Sequence, residues 1–269
     1  MHKMIVGPLA ATLLCAGAAP ALAQSAGDWG GTWSGFYAGI YGGYALDTDA
    51  ASSQHLGPFG NGDVTYQMDS STSRISTLFG GATAGYNAQI GKVVLGVESD
   101  VSVGGFSKSS TGTLTMSGTA GDDDHAVSIS VESVSSYSLG PMASFRGRLG
   151  VEAPQGVLFY LTGGLVVADR TVASTMTIST TGLDDEDSYP SGTSTSSTQQ
   201  LVMGPTIGVG VESMVAEHIS LGAEYAYVAL PEAAAAGGGI DLFGLGSDDS
   251  PASFAGGFHS LKAALKYHF

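Results

Sequence analysis

The amino-acid sequence predicts an all-β fold, an eight-stranded antiparallel up-and-down transmembrane β-barrel with four long extracellular loops. Composition is the first reason: the chain has 41 glycines, only 12% charged residues, many Ser and Thr, and no long stretch of helical apolar spacing. The second reason is a set of eight segments in which apolar and polar residues alternate. The third is that the connections between these segments alternate between tight turns and long loops.

The start of the chain has the pattern of a cleaved signal peptide. A weakly basic start precedes an apolar run from Met4 to Ala19, and Ala21-Leu22-Ala23 forms an A-x-A cleavage site. We therefore expect residues 1–23 to be removed. Residues 24–35 are expected to form a periplasmic N-terminal segment, and residues 36–269 to form the outer-membrane β-barrel.

The mature chain is expected to have neither cysteine chemistry nor a helical anchor. Cys15 is the only cysteine and lies within the predicted signal peptide, which suits an oxidising compartment of the cell envelope. Later segments do not reach the ~18 unbroken apolar residues that a spanning helix requires. Any crossing of a membrane must therefore use strands.

The charge pattern argues against several classes of partner. The net charge is −15, and two acidic clusters lie between predicted strands, Asp122-Asp123-Asp124 and Asp184-Asp185-Glu186-Asp187. Such a surface repels phosphates, so we expect no nucleic-acid partner. Neither cluster has the spacing of a calcium loop, and Gly208-Val209-Gly210 lies within a strand rather than before a helix. The sequence therefore predicts no metal site and no cofactor.

Each alternating segment is long enough to span a bilayer. A hydrocarbon band ~25 Å tall, crossed by strands tilted by about 40°, needs about 10 residues per strand. The predicted strands are Phe36–Leu46, Leu78–Ile90, Val93–Phe106, Ala143–Ala153, Val157–Arg170, Val202–Val215, His218–Leu230 and Phe258–Phe269.

The connections set the orientation, because barrels of this kind have short periplasmic turns and long outward loops. The predicted tight turns are Gly91-Lys92, Pro154-Gln155-Gly156 and Ala216-Glu217. The predicted long loops are Asp47–Thr77, Ser107–Met142, Thr171–Leu201 and Pro231–Gly257. Both chain ends then fall on the periplasmic side. Since the long loops hold little apolar material to pack, we expect them to be largely mobile.

Strand alternation assigns one face of each strand to lipid and the other to the lumen. In the third strand Val97 and Val101 share the apolar face, whereas Glu98 and Asp100 share the other. In the fourth strand a slip of one residue would place two arginines in lipid, at ~2–4 kcal/mol each near the midplane. The charged residues that this assignment places in the lumen are Glu98, Asp100, Arg146, Arg148, Glu212, Glu224, Lys262 and Lys266.

These eight side chains are expected to form one ion-pair network, because an eight-stranded barrel is only wide enough inside for its own side chains. Counting from the periplasmic turns places Glu98 at the height of Arg148 and Asp100 at the height of Arg146. Glu224 should lie near Lys262 across the last strand pair. Unpaired charges in this position would cost several kcal/mol each.

The strand sequences resemble those of the porin-like outer-membrane β-barrel surface antigens, a family related in architecture to the small OmpA and OmpX barrels. The matching motifs are Trp33-Ser34-Gly35-Phe36-Tyr37, Gly85-Tyr86-Asn87, Leu95-Gly96-Val97-Glu98, Arg146-Gly147-Arg148-Leu149-Gly150, Thr162-Gly163-Gly164, Gly210-Val211-Glu212 and Glu224-Tyr225-Ala226-Tyr227. The resemblance covers the strands and almost none of the loops. It implies a bacterial outer-membrane location, with membrane lipids and lipopolysaccharide as surroundings. It leaves the oligomeric state open.

The C-terminal residues Leu265, Tyr267 and Phe269 resemble the signal that the outer-membrane assembly machinery recognises. The resemblance therefore implies that machinery as a partner of this chain.

The sequence predicts a non-enzymatic protein with a structural or surface role and a lumen closed by ion pairs. The catalytic candidates whose side chains lie on the same face of one strand are His218, Ser220 and Glu224. They point into the lumen, away from a lipid substrate. The alternatives are a small-solute porin, and an adhesin or ligand receptor that works through the extracellular loops.

Overall fold

A computed structural model describes residues 31–47, 52–60, 64–73, 76–120, 125–181, 191–234, 253–254 and 256–269. The predicted signal peptide and both acidic clusters lie outside these ranges. Among the described residues there is no helix long and apolar enough to cross a membrane.

The described chain contains thirteen strands. They are β1 (Gly35–Asp47), β2 (Ser52–Gly60), β3 (Val64–Thr72), β4 (Ser76–Ile90), β5 (Val93–Gly104), β6 (Phe106–Ala120), β7 (His125–Ala153), β8 (Val157–Thr181), β9 (Gly192–Ala216), β10 (Ile219–Val228), β11 (Ala233–Ala234), β12 (Ser253–Phe254) and β13 (Phe258–His268).

Eight of these strands close into an antiparallel ring in the order β1, β4, β5, β7, β8, β9, β10 and β13. The ring closes because β13 pairs with β10 on one side and with β1 on the other. Each of the eight predicted spans lies within one of these strands, apart from a few terminal residues. The predicted fold class is therefore confirmed.

Tight turns join three strand pairs at one end of the ring, the end that is predicted to face the periplasm. The first turn places Gly91 at a φ of 60°, and the second places Gln155 and Gly156 at a φ of 69° each. Left-handed backbone is easy for glycine and uncommon for other residues. The third turn is at Glu217–His218, one residue later than predicted.

The outer face of the ring is apolar. On β5 the exposed fraction of the outward side chains runs from 41% at Val93 to 63% at Val103, whereas Glu98 and Asp100 between them are 4% and 8% exposed. Phe145 and Leu149 on β7 are likewise 63% and 49% exposed. Exposure of so continuous an apolar belt to water would be unfavourable. This face therefore fits a lipid environment.

Several segments expected to be mobile loops instead form strands that extend the barrel beyond its apolar belt. β2, β3 and β6 continue the sheet from β7 in the order β2–β3–β6–β7. The C-terminal part of β8 also continues beyond the belt. It pairs with β7 as far as Thr181 and with β9 as far as Gly192, the first residue of β9. Ser- and Thr-rich strands can be stable here because the ladder supplies backbone hydrogen bonds and one face packs inward at Val131 and Val172.

The topology predicts which positions are reachable from outside the cell. Cysteine placed at exposed Ser196 on the outer part of β9 should react with a membrane-impermeant maleimide on intact cells. Cysteine at Gln155, in the second tight turn, should react only after the cells are opened. Cys15, the only cysteine of the chain, lies in the predicted signal peptide, so a low background is expected. Labelling of intact cells at position 155 but not at 196 would invert the orientation.

Candidate functional site in the barrel interior

The structure places all eight predicted lumen charges inside the ring. The exposed fraction is 8% or less for seven of them, and the Lys262 side chain is 13% exposed. They form the middle one of three side-chain layers that lie along the lumen. We call this middle layer the charged layer.

Arg146 is the hub of the charged layer. Its Nη2 lies 2.5 Å from Glu98 Oε1 and 2.9 Å from Asp100 Oδ2, and its Nη1 lies 2.5 Å from Glu224 Oε1. These carboxylates belong to β5 and β10, so one guanidinium spans the lumen. Lys262 adds a second cation 3.4 Å from Glu224 and 3.8 Å from Asp100.

Arg148 belongs to a second group nearer the periplasm. It forms an ion pair with Glu212, which is fully buried. Lys266 joins the two groups, since its Nζ lies 2.9 Å from Glu98 and 3.2 Å from Glu212. Arg148 also stacks on Tyr160, with its Cζ 3.8 Å from the ring centroid.

The observed register differs by two residues from the expectation for β5 and β7. Glu98 lies opposite Arg146, and Arg148 lies opposite Gly96. Arg148 is therefore free to face Glu212 across the lumen rather than Glu98. The expected neighbours Glu224 and Lys262 are directly opposite each other.

Hydroxyl groups complete the hydrogen bonding of the buried carboxylates. Tyr37 donates to Glu98 at 2.8 Å, and Tyr41 donates to Asp100 at 3.1 Å. Ser144 donates to Asp100 at 2.6 Å, and Ser220 donates to Glu212 at 2.6 Å. Sequence reasoning missed the two tyrosines. Their parity in β1, which is opposite to that of exposed Ile40, was the available signal.

Inward glycines make room for these aromatic rings. A Cβ on Gly85 would overlap the Tyr37 hydroxyl, and a Cβ on Gly210 would overlap the Tyr160 ring. Gly210 and Tyr160 are cross-strand partners on β9 and β8. Tyr160 is thus held between a glycine and Arg148, which fixes the guanidinium in position.

This packing predicts that Gly210→Ala destabilises the barrel by about 1–3 kcal/mol, because Tyr160 must move toward Arg148. The measurement is unfolding by urea in lipid or detergent. Gly42→Ala is the matched control, since a Cβ on Gly42 meets no atom within 4 Å. Equal stability losses in both variants would contradict the packing role.

An apolar layer closes the periplasmic end. Trp33 is fully buried and packs with Val94, Leu158 and Tyr160. Its backbone N–H donates to Gln89 Oε1 at 3.0 Å. The predicted periplasmic segment 24–35 therefore contributes Trp33 to the barrel interior, and β1 begins at its last residue.

A larger apolar layer closes the outer end. Side chains from nearly every strand of the ring meet there, together with the short paired strands β11 and β12. Its buried members are Tyr41, Ala45, Phe79, Phe106, Tyr137, Leu139, Met142, Val166, Ala168, Val172, Val202, Val228, Leu230, Ala233, Phe254 and Phe258. Within it, Lys108 Nζ lies 3.0 Å from Asp47, and both side chains are almost fully buried.

Two small cavities border the charged layer. One cavity of about 30 Å³ lies where the charged layer meets the outer apolar layer, beside Tyr41, Arg146 and Phe258. Another of about 20 Å³ lies beside Glu98 and Lys266. Each has room for about one or two water molecules.

The catalytic candidates do not form a catalytic arrangement. Ser220 Oγ and Glu212 both approach the same nitrogen of His268, at 2.9 Å and 3.3 Å from Nε2. In a Ser-His-acid triad the acid contacts the other ring nitrogen. His218 instead lies 3.0 Å from a backbone carbonyl, and Glu224 pairs with Arg146.

A closed antiparallel ring with an apolar outer belt and a charged, filled interior defines a transmembrane β-barrel of the bacterial outer membrane. The chain belongs to the outer membrane protein beta-barrel domain family, whose model matches residues 9–269. The outer-membrane location predicted from the sequence is therefore confirmed.

One relative and two solved structures illustrate the likeness. A 22 kDa outer membrane protein of Rhizobium leguminosarum bv. viciae is 32% identical over 168 residues, which are 62% of this chain and 60% of that protein. OprG of Pseudomonas aeruginosa has a TM-score of 0.42 at 13% identity, covering 88% of this chain and 97% of its own. Neisserial surface protein A has a TM-score of 0.33 at 13% identity, covering 88% and 98%.

Proposed function

We propose that this protein is a non-enzymatic structural or surface component of the outer membrane, with a lumen closed by its own side chains. The observation that carries the proposal is the stacking of three side-chain layers along the lumen. Trp33 lies at the periplasmic end, the Arg146 hub in the middle, and the aromatic cluster around Phe258 at the outer end.

The charged layer supports closure because its charges balance. Glu98, Asp100, Glu212 and Glu224 face four cations, so the layer needs no counterion from solution. Separating a buried pair leaves an uncompensated charge at a cost of about 3–5 kcal/mol. A solute could pass only by breaking several such pairs together.

The outer apolar layer opposes conduction in a different way. A hydrophobic constriction excludes water and ions even where a narrow gap remains. An ion would therefore meet an apolar barrier at each end of the charged layer. These features favour a closed barrel over the small-solute porin.

Conductance recording in planar bilayers tests this proposal. The wild-type barrel should show no steady conductance. Arg148→Ala leaves Glu212 without its closest cation, so that variant should be less stable or should admit ions.

Lys92→Ala serves as a control, because Lys92 is exposed in a periplasmic turn. It should behave as the wild type in both stability and conductance. A large, stable channel in the wild type would refute the closed lumen and favour the porin.

The surface role has its own structural support. Strands β6 to β9 extend well beyond the apolar belt, where they place ordered backbone outside the membrane. Such a sheet suits contact with other molecules better than mobile loops would, since less ordering entropy is lost on binding. An adhesin or ligand receptor is the second candidate function.

A further inference from the structure

The outer part of β9 is a sheet edge. Residues 192–201 pair with β8 on one side, whereas β10 pairs with β9 only from Thr206 onward. Within the described part of the chain, no strand pairs with the other side of residues 192–201. Every side chain in this stretch is exposed. At ~3.3 Å per residue the edge is about 33 Å long.

One hydrogen bond shows which backbone groups point away from β8. Ala229 N–H donates to Pro205 C=O at 2.9 Å, so the carbonyl of residue 205 faces the β10 side. The N–H and C=O of one residue point to the same side of an antiparallel strand, and the side alternates along the chain. Because the β8–β9 register is continuous, the backbone groups of Thr193, Thr195, Ser197 and Gln199 face the free edge.

The neighbouring chain leaves the sheet for identifiable reasons. Pro205 and Pro231 lack the N–H groups that would continue the β9–β10 ladder. Beyond β10, Arg170 donates to the carbonyls of Pro231 and Glu232 at 2.8 and 3.3 Å, and Ala233 is buried in the outer apolar layer. The chain is thus drawn over the barrel mouth, away from β9.

This edge lacks the features that usually prevent strand addition. Proteins protect long edges with lysine, proline or bulges. Residues 192–201 contain no charged residue and no proline, and their pairing with β8 has no bulge. The hydroxyl oxygens of Thr193 and Thr195 each form a hydrogen bond with a threonine hydroxyl of β8, at 3.3 and 3.2 Å. The edge is therefore flat and regular.

The charge of the surrounding surface indicates the sign of the charge expected on a partner. Of the nine Lys and Arg residues of the chain, six are inside the barrel: Lys108, Arg146, Arg148, Arg170, Lys262 and Lys266. Of the others, Lys92 lies in a periplasmic turn, Lys3 is in the predicted signal peptide and Arg74 lies outside the described residues. Glu132 and Glu232 are exposed on the outer side. An acidic field attracts a basic partner and repels a second copy of the same chain.

We propose that the β9 edge is a docking site for an extended segment of a basic polypeptide, which adds a strand beside residues 192–201. Backbone hydrogen bonds to Thr193, Thr195, Ser197 and Gln199 would supply the affinity, and the acidic surface would favour lysine or arginine in the partner. This docking is independent of the state of the lumen.

Peptide binding to the mature barrel in neutral lipid nanodiscs tests the proposal. The probe is a fluorescent ten-residue peptide of alternating Thr and Val with lysines at both ends, followed by anisotropy. It should bind saturably, and more weakly at high salt. Ser197→Pro removes one outward N–H and should weaken binding by about tenfold or more. Ser196→Pro is the matched variant, because its N–H faces β8 and its loss should mainly lower stability.

A second measurement leaves the protein unchanged. The same peptide N-methylated at alternate residues cannot form the ladder and should not bind, and a version with Glu in place of Lys should bind at least tenfold more weakly. Equal binding of the N-methylated peptide, or no binding of the lysine peptide to the folded barrel, would overturn the proposal. Self-association of the barrel that Ser197→Pro abolishes would assign the edge to a second copy instead.

Discussion

Arg146→Ala is expected to lower the free energy of unfolding by about 3–5 kcal/mol, a large part of the stability of a typical protein. The substitution removes the guanidinium that contacts Glu98, Asp100 and Glu224 together. All three carboxylates are at most 8% exposed, so water compensates them poorly. Urea unfolding in detergent micelles, followed by the gel shift between folded and unfolded barrel, measures the loss.

Lys262→Ala is the matched comparison. Lys262 contacts two of the same carboxylates, but at 3.4 and 3.8 Å and with its side chain 13% exposed. Its loss should therefore cost clearly less than that of Arg146. If the two variants were equally stable, the Arg146 hub would not be the principal element of the charged layer.

Deletion of Phe269 is expected to abolish most outer-membrane accumulation while leaving export intact. Phe269 is 75% exposed, and its ring contacts Tyr267 at 5.2 Å between centroids. Its N–H donates to Phe36 C=O at 2.9 Å, one bond of the seam between the two chain ends. A residue so exposed contributes little packing, so the expected defect lies in recognition by the assembly machinery. Fractionation of cells should show the truncated chain in the periplasm or degraded.

Two controls separate recognition from stability. Phe269→Tyr keeps an aromatic C-terminal residue and should accumulate normally. The truncated chain should also refold in detergent nearly as well as the full chain, since one seam bond is worth only about 1 kcal/mol. Normal outer-membrane levels of the truncated chain would rule out a role of Phe269 as a signal.

The fold could be predicted because period-2 alternation and turn spacing are local properties of the sequence. Val93–Gly104 illustrates this, since alternation alone separates its lipid and lumen faces. The relative height of Glu98 and Arg148 could not be predicted as reliably. β5 and β7 are joined through a long segment rather than a tight turn, so nothing local fixes their stagger.

The strands beyond the apolar belt were not predicted, because their Ser- and Thr-rich composition was given more weight than the alternation of their apolar and polar residues. The stretch Ala126-Val127-Ser128-Ile129-Ser130-Val131 alternates as clearly as a membrane span, yet its Ser-rich surroundings suggested a mobile loop. Trp33 was also missed as an interior residue. Its side chain packs on Val94, Leu158 and Tyr160, which are distant in sequence, and no local pattern reports those contacts.

The two lysines of β13 make closure of the barrel a single event. Lys262 and Lys266 reach carboxylates on β5, β9 and β10, and the Lys266–Glu98 contact spans 168 residues of sequence. Until the final strand arrives, those carboxylates lack part of their positive charge, and an open sheet would retain water around them. Sealing the seam and drying the interior must then occur together, when β13 pairs with β1 and β10. Partly assembled barrels would be hydrated and short-lived, so a protease that samples them should find cleavage sites that the finished barrel hides.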